Sequence, residues 1–391
     1  MNDIQTNRTK VGSGMNMDSR TATGLCHNLL LASGFTLVTA FSLAGCGTDG
    51  PEASLPVESP VALGLSLRLV FPDALTVDVT RAAPANPTKN GIELTDIRVL
   101  QFPGTGAAVT DVKNQQYRSG GTADPWYEEK NSLIEVKTGS TDFNNEDSNF
   151  YIIANSGDAL TSTDGGALKT TGIGFSDITT EPGILVYGPK PYTKTTGSTK
   201  PVEFLAKLCR AYAYVTVNYT PAKGITIASA AIENVPDKIY PIPDAAHPAT
   251  TYLAATPTID LSATPSGSFS FYLPENLKGS GTATTEPDKN RPAKGPGGSL
   301  GGCTCVVLRG TYNYYPDTAG SEPIDVEYRF YLGLDMIRNY DVERGKHYTL
   351  TVNLQGANSS DARVSVTNGN VFAFDDPDNV NNGMDFNVSI R

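Results

Sequence analysis

Histidine, tryptophan and cysteine are scarce in this chain, with 3, 1 and 5 residues among 391. That leaves little material for imidazole catalysis or for a histidine–cysteine metal centre. There is no Gly-x-Ser-x-Gly elbow and no Walker loop, and Gly104-Thr105-Gly106 is too short to cradle a phosphate. His247 precedes a proline in a loop and His347 lies at a strand start, so both read as structural. Charged residues make up only 18 %, which excludes the composition of a strongly charged disordered chain. Lys and Arg number 30 against 41 Asp and Glu, a net charge of −11. Nucleic-acid binding needs a basic footprint, and this balance argues against one. No segment shows convincing helical amphipathicity beyond about two turns. An enzyme, a metal site and a cofactor are therefore not expected.

Chain punctuation is abundant instead. With 38 Gly and 26 Pro, roughly one residue in six is a turn former, which favours many short strands. Near the start, Arg8, Lys10 and Arg20 precede an uncharged apolar run over residues 29–43. That length suits a signal h-region better than a membrane span. Met15 or Met17 is an alternative start. The run ends Leu43-Ala44-Gly45-Cys46, which resembles the lipobox of bacterial lipoproteins. In that motif the cysteine thiol takes a diacylglycerol before cleavage, so Cys46 is the expected lipidation site. Cys26 leaves with the signal, and Cys209, Cys303 and Cys305 remain. The Cys303-Thr304-Cys305 spacing is wrong for a zinc knuckle. Two readings stay open: buried small apolar residues, or a disulfide from Cys209 to one of the pair.

Residues 47–60 read as a flexible tether. Leu63, Leu65, Leu67, Leu69 and Phe71 then alternate with Gly64, Ser66, Arg68 and Val70, the period of a half-buried strand. Further strands are expected at 97–102, 149–154 and 184–187. A second group begins near 202 and includes 211–219, 269–273, 305–315, 326–332 and 348–354. Residues 279–302, rich in Gly, Pro, Thr and Lys, read as a mobile loop. Trp126 and Tyr127 suit either loop packing or stacking on a sugar. Met384, Phe386, Val388 and Ile390 alternate with Asp385, Asn387 and Ser389 after a polar linker at 375–383. That linker lacks the EF-hand spacing. The whole predicts an all-β chain of two β-sandwiches joined near residue 200.

Several segments, taken in order, resemble the fimbrillins, the type V pilins of Bacteroidales-type bacteria. They are the Cys46 lipobox with its acidic tether and alternating strand, the Arg81-Ala82 bond, and Ile97-Arg98-Val99-Leu100-Gln101-Phe102. Tyr151-Ile152-Ile153-Ala154-Asn155-Ser156-Gly157, Pro236-Asp237-Lys238-Ile239-Tyr240 and Phe271-Tyr272-Leu273-Pro274-Glu275-Asn276 follow. The last is Val342-Glu343-Arg344-Gly345-Lys346-His347-Tyr348-Thr349-Leu350. Tryptophans common near the end of family members are absent here.

The resemblance implies two transthyretin-like β-sandwich domains behind a lipoprotein signal. Its boundaries are a signal peptide at 1–45, a lipidated propeptide at 46–81, and sandwiches at 82–200 and 201–391. It implies a fimbrial subunit that reaches the outer membrane as a lipoprotein and is cut between Arg81 and Ala82 by an arginine-specific surface protease. The subunit then polymerises with other pilin subunits by strand exchange. In that scheme the strand bearing Leu63, Leu65, Leu67, Leu69 and Phe71 is displaced, and Met384, Phe386, Val388 and Ile390 form the candidate donor.

The apolar side chains agree with such a scheme, since releasing them would cost on the order of 10 kcal/mol, an upper bound because the gap can partly collapse. It would also leave sheet edges open to a replacement. Against this stand a solvated loop role for Arg81 and an ordinary edge role for the last strand. A tip or accessory adhesin binding a glycan or host protein, and an uncut lipid-anchored subunit, share the same features.

Overall fold

In the computed structural model the described residues are 62–75, 87–104, 111–119, 126–197, 200–242, 251–264, 266–313, 315–320, 323–354, 364–368, 371–372 and 385–390. They belong to one unit, Glu58–Arg391, and form an almost entirely β structure. Cys46, Arg81, Ala82, His247 and Met384 lie outside the described residues.

The longer strands of the first group are β1 (Leu65–Val70), β2 (Asp96–Pro103), β3 (Lys113–Arg118), β4 (Tyr127–Lys130), β5 (Leu133–Val136), β6 (Ser148–Ala154), β7 (Leu185–Tyr192) and β8 (Val202–Lys207). One sheet runs β3-β2-β6-β7 and ends on the short strand Cys209–Arg210; the other runs β8-β1-β5-β4. Strand partnerships of this group therefore continue past residue 200, through β8 to Arg210.

Period-two alternation turns Leu65, Leu67 and Leu69 inward, where they meet Ile97 and Val99 of β2, Phe150 and Ile152 of β6, and Ile134 and Val136 of β5. The β2-β6 sheet is covered on its other face too, by Leu160 and Leu168 against Leu100, Phe102 and Ile153. This explains why β2 is buried nearly throughout. Leu168 comes from the one short α-helix among the described residues, α1 (Gly165–Thr170). Its N-terminus is capped by Asp164, whose Oδ1 accepts from the Ala167 amide at 2.8 Å.

The second group comprises β9 (Tyr212–Pro221), β10 (Ile225–Glu233), β11 (Gly267–Pro274), β12 (Cys305–Tyr312), β13 (Ile324–Tyr331), β14 (His347–Leu354), β15 (Val364–Asn368) and β16 (Asp385–Ile390). One sheet runs β11-β9-β14-β16-β15, and the other runs β10-β12-β13 with Thr258–Asp260 beside β10. Val215, Val217, Phe271, Leu350 and Val352 of the first meet Ile227, Ile232, Val306, Leu308 and Phe330 of the second in a larger core. The β10–β12 ladder is bulged between Ile227 and Ser229. Gly310 lies against that bulge, where a Cβ would stand 1.9 Å from the Thr226 carbonyl oxygen.

Two expectations change on this frame. Residues 279–302 carry three short 3-10 turns, Glu286–Asn290, Pro292–Lys294 and Pro296–Gly298, instead of an open loop. Lys289 from the first turn is buried, its Nζ donating to the Asp335 carbonyl while its own carbonyl accepts from the Tyr340 hydroxyl. Trp126 packs in the first core edge-on to Tyr127, with ring centroids 5.1 Å apart, so it is not presented for stacking on a sugar.

Candidate functional site

β1 is an interior strand. Its register to β8 is parallel, from Leu65 opposite Val202 to Val70 opposite Lys207. On its other side it runs antiparallel to β5, with Leu67 opposite Val136 and Leu69 opposite Ile134. The preceding pair Ala62–Leu63 bridges to Phe143–Asn144. Backbone bonds continue at both ends, from the Val202 amide to the Gly64 carbonyl and from the Leu208 amide to the Val70 carbonyl, each 2.8 Å. The Thr138 hydroxyl donates to the Leu65 carbonyl.

Leu67 and Leu69 are 0 % and 1 % exposed, and Leu63 and Leu65 are nearly as deep. Phe71 lies past the end of the strand and is half-buried against the same core. On the outer face the Ser66 hydroxyl donates to Glu135 Oε1 at 3.1 Å. There, too, Arg68 pairs with Glu203 at 2.9 Å. A cleft of about 400 Å³ lies beside this face. Its charged lining is paired within the chain, Lys130 with Glu135 and Lys137 with Glu128.

Removing β1 from this arrangement would separate β8 from β5 and open a slot with an unpaired edge on each side and a leucine-shaped floor. The structure brings Leu63, Leu65, Leu67, Leu69 and Phe71 together at that slot.

It places the candidate donor elsewhere. β16 runs parallel to β14, from Asp385 opposite Thr349 to Ile390 opposite Leu354, and antiparallel to β15. The two strands thus share a neighbour pattern, one parallel and one antiparallel, and each is six residues long.

Other singled-out residues are structural. Cys209, Cys303 and Cys305 form no disulfide with one another, so the disulfide reading does not hold. Burial pushes the Cys303 thiol up to about 11 and the Cys305 thiol up to about 12, which keeps both protonated and unreactive. His347 Nε2 lies 3.0 Å from the Thr216 hydroxyl, and burial holds its pKa below the ordinary value. Residues 271–276 and 342–350 meet: Asn276 and Val342 exchange backbone bonds of 2.8 and 3.0 Å, and Arg344 pairs with Glu275 at 2.6 Å.

Comparison with known proteins gives three findings. A family model described as a domain of unknown function, DUF4906, matches residues 271–352. No curated protein sequence matches. Similar solved structures include fimbrial and candidate cell adhesion proteins. A candidate cell adhesion protein of Bacteroides eggerthii is 15 % identical, with 76 % of this chain and 88 % of that chain covered and a TM-score of 0.41. The C-terminally truncated tip fimbrial protein Mfa3 of Porphyromonas gingivalis is 14 % identical over 73 % of this chain and 94 % of that one, with a TM-score of 0.41. A fimbrilin of Porphyromonas gingivalis is 13 % identical over 84 % of this chain and 97 % of that one, with a TM-score of 0.39.

Proposed function

We propose that this chain is a structural subunit of a surface fimbrium that supports adhesion. It is exported as a lipoprotein through Cys46, held at the outer membrane by that lipid, and cut after Arg81 by an arginine-specific surface protease. It then joins other pilin subunits by strand exchange. The observation that carries the reading is the position of β1. A strand so deeply seated, flanked on both sides, is joined to the rest of the chain through a segment that contains Arg81. Cutting there detaches β1 from everything downstream and leaves a slot that only another alternating strand fills.

N-terminal sequencing of the surface form tests this: Ala82 is expected as its first residue. A surface form that begins at acylated Cys46 and is found only as monomer overturns the reading in favour of a lipid-anchored subunit. Fatty-acid labelling of Cys46→Ser tests the export step, and undiminished label rejects Cys46 as the lipid site.

A further inference from the structure

Past the end of β1 the chain makes contacts that a strand in an apolar slot does not require. The Pro72 carbonyl accepts from Asn90 Nδ2 at 2.7 Å, and the Asp73 carbonyl accepts from Arg210 Nη2 at 2.7 Å. Leu75 then packs against the second core. The Arg210 side chain is 0 % exposed, and its Nε donates to Glu181 Oε1 at 2.8 Å. The same carboxylate oxygen accepts the Tyr212 hydroxyl at 2.6 Å. Tyr212 opens β9, whereas Arg210 is paired with Leu185 in the first group of sheets. Residues 178–181 are tied to β11 through the Tyr272 amide, which donates to the Ile178 carbonyl at 2.8 Å. One buried guanidinium thus touches the segment after β1 and a carboxylate at the junction, and that carboxylate in turn holds the first strand of the second group.

We propose that Arg210, assisted by Asn90, is a clamp for the peptide segment that follows the slot strand, and that it couples occupancy of the slot to the seating of β9. Its ligand is the main-chain carbonyl of an extended peptide three residues beyond the last paired position. A guanidinium has donors only, so the partner at that point must be an oxygen. When residues up to Arg81 depart, Arg210 retains Glu181 and loses Asp73, and a buried donor that loses its acceptor is costly. An incoming strand that merely fills the slot does not restore that bond; one whose chain continues past it does. The role in assembly rests on the strand-exchange reading, but the clamp is a property of the uncut chain.

Hydrogen–deuterium exchange on the intact chain tests it, comparing wild type with Arg210→Met, Arg210→Lys and the control Lys223→Gln, which breaks an exposed ion pair with Asp317 away from β1. Arg210→Met is expected to speed amide exchange over residues 65–75 about ten- to a hundredfold, the range of a lost bond to a charged group. Protection in β3 and β12 stays at the wild-type level, Arg210→Lys recovers part of the loss, and Lys223→Gln changes nothing. Uniform acceleration of all strands, or none at 65–75, overturns the clamp. Asn90→Gly keeps the positive φ of 52° available and removes only the amide donor, so it carries the test if Arg210→Met does not fold. Faster exchange confined to 71–75 is expected, and its absence counts against the proposal. Polymerisation is not read in this experiment, so the clamp and strand exchange fail separately.

Discussion

Leu67 and Leu205 lie on neighbouring strands, yet one is 0 % and the other 46 % exposed. Leu67→Ala should lower stability by about 2–5 kcal/mol, transfer and cavity terms together. Leu205→Ala should stay within about 0.5 kcal/mol. Urea unfolding of both variants checks the difference.

Lys289 gives a pH prediction. Burial pushes its ammonium down to about 7 from 10.5. Between those values the unfolded chain holds a proton that the folded chain has released, so stability rises with pH across the window. Lys289→Met should be more stable than wild type at pH 7, with the gap narrowing by pH 9. Unfolding midpoints at the two pH values measure it, and a constant gap refutes the assignment.

At the scale of elements, alternation is what made strands legible. β1, β9 and β14 carry apolar residues at every second position, and their burial follows the same period. β3 (KNQQYR) and the edge strand β4 (YEEK) do not, because neither buries one clean face. β10 (ITIASAAIE) hides its pattern in small residues. The candidate slot was visible in sequence as a row of leucines. Arg210 was not, because its burial depends on acceptors 137 and 29 residues away. The 3-10 turns of 279–302 escaped for a similar reason, since the partners that hold Lys289, the Asp335 carbonyl and the Tyr340 hydroxyl, lie 46 and 51 residues away.

Register offers an element-scale test. Exchanging Ser66 with Leu67 and Arg68 with Leu69 keeps the composition of β1 but shifts its inward face. Amide protection over 65–70 should vanish while β14 keeps its own. Retained protection would mean that the slot tolerates either face.

For the whole molecule, the proposed assembly requires one strand to leave and another to arrive. β16 meets the hydrogen-bonding demand of the slot, because it already accepts one parallel and one antiparallel neighbour. Residues 375–383 could span about 30 Å when extended, enough to carry β16 toward a second subunit. To do so β16 must first separate from β14. Thr351 and Asn387 are partners in the parallel register, and adjacent strands lie about 4.8 Å apart, within the Cα range of a disulfide. Thr351→Cys with Asn387→Cys should therefore lock β16 in its own sheet when oxidised. After cleavage following Arg81, the oxidised protein is expected to remain monomeric on size-exclusion chromatography, and a reductant is expected to restore polymer growth. Growth of the oxidised protein at the reduced rate would exclude β16 as donor and direct attention to residues 371–374.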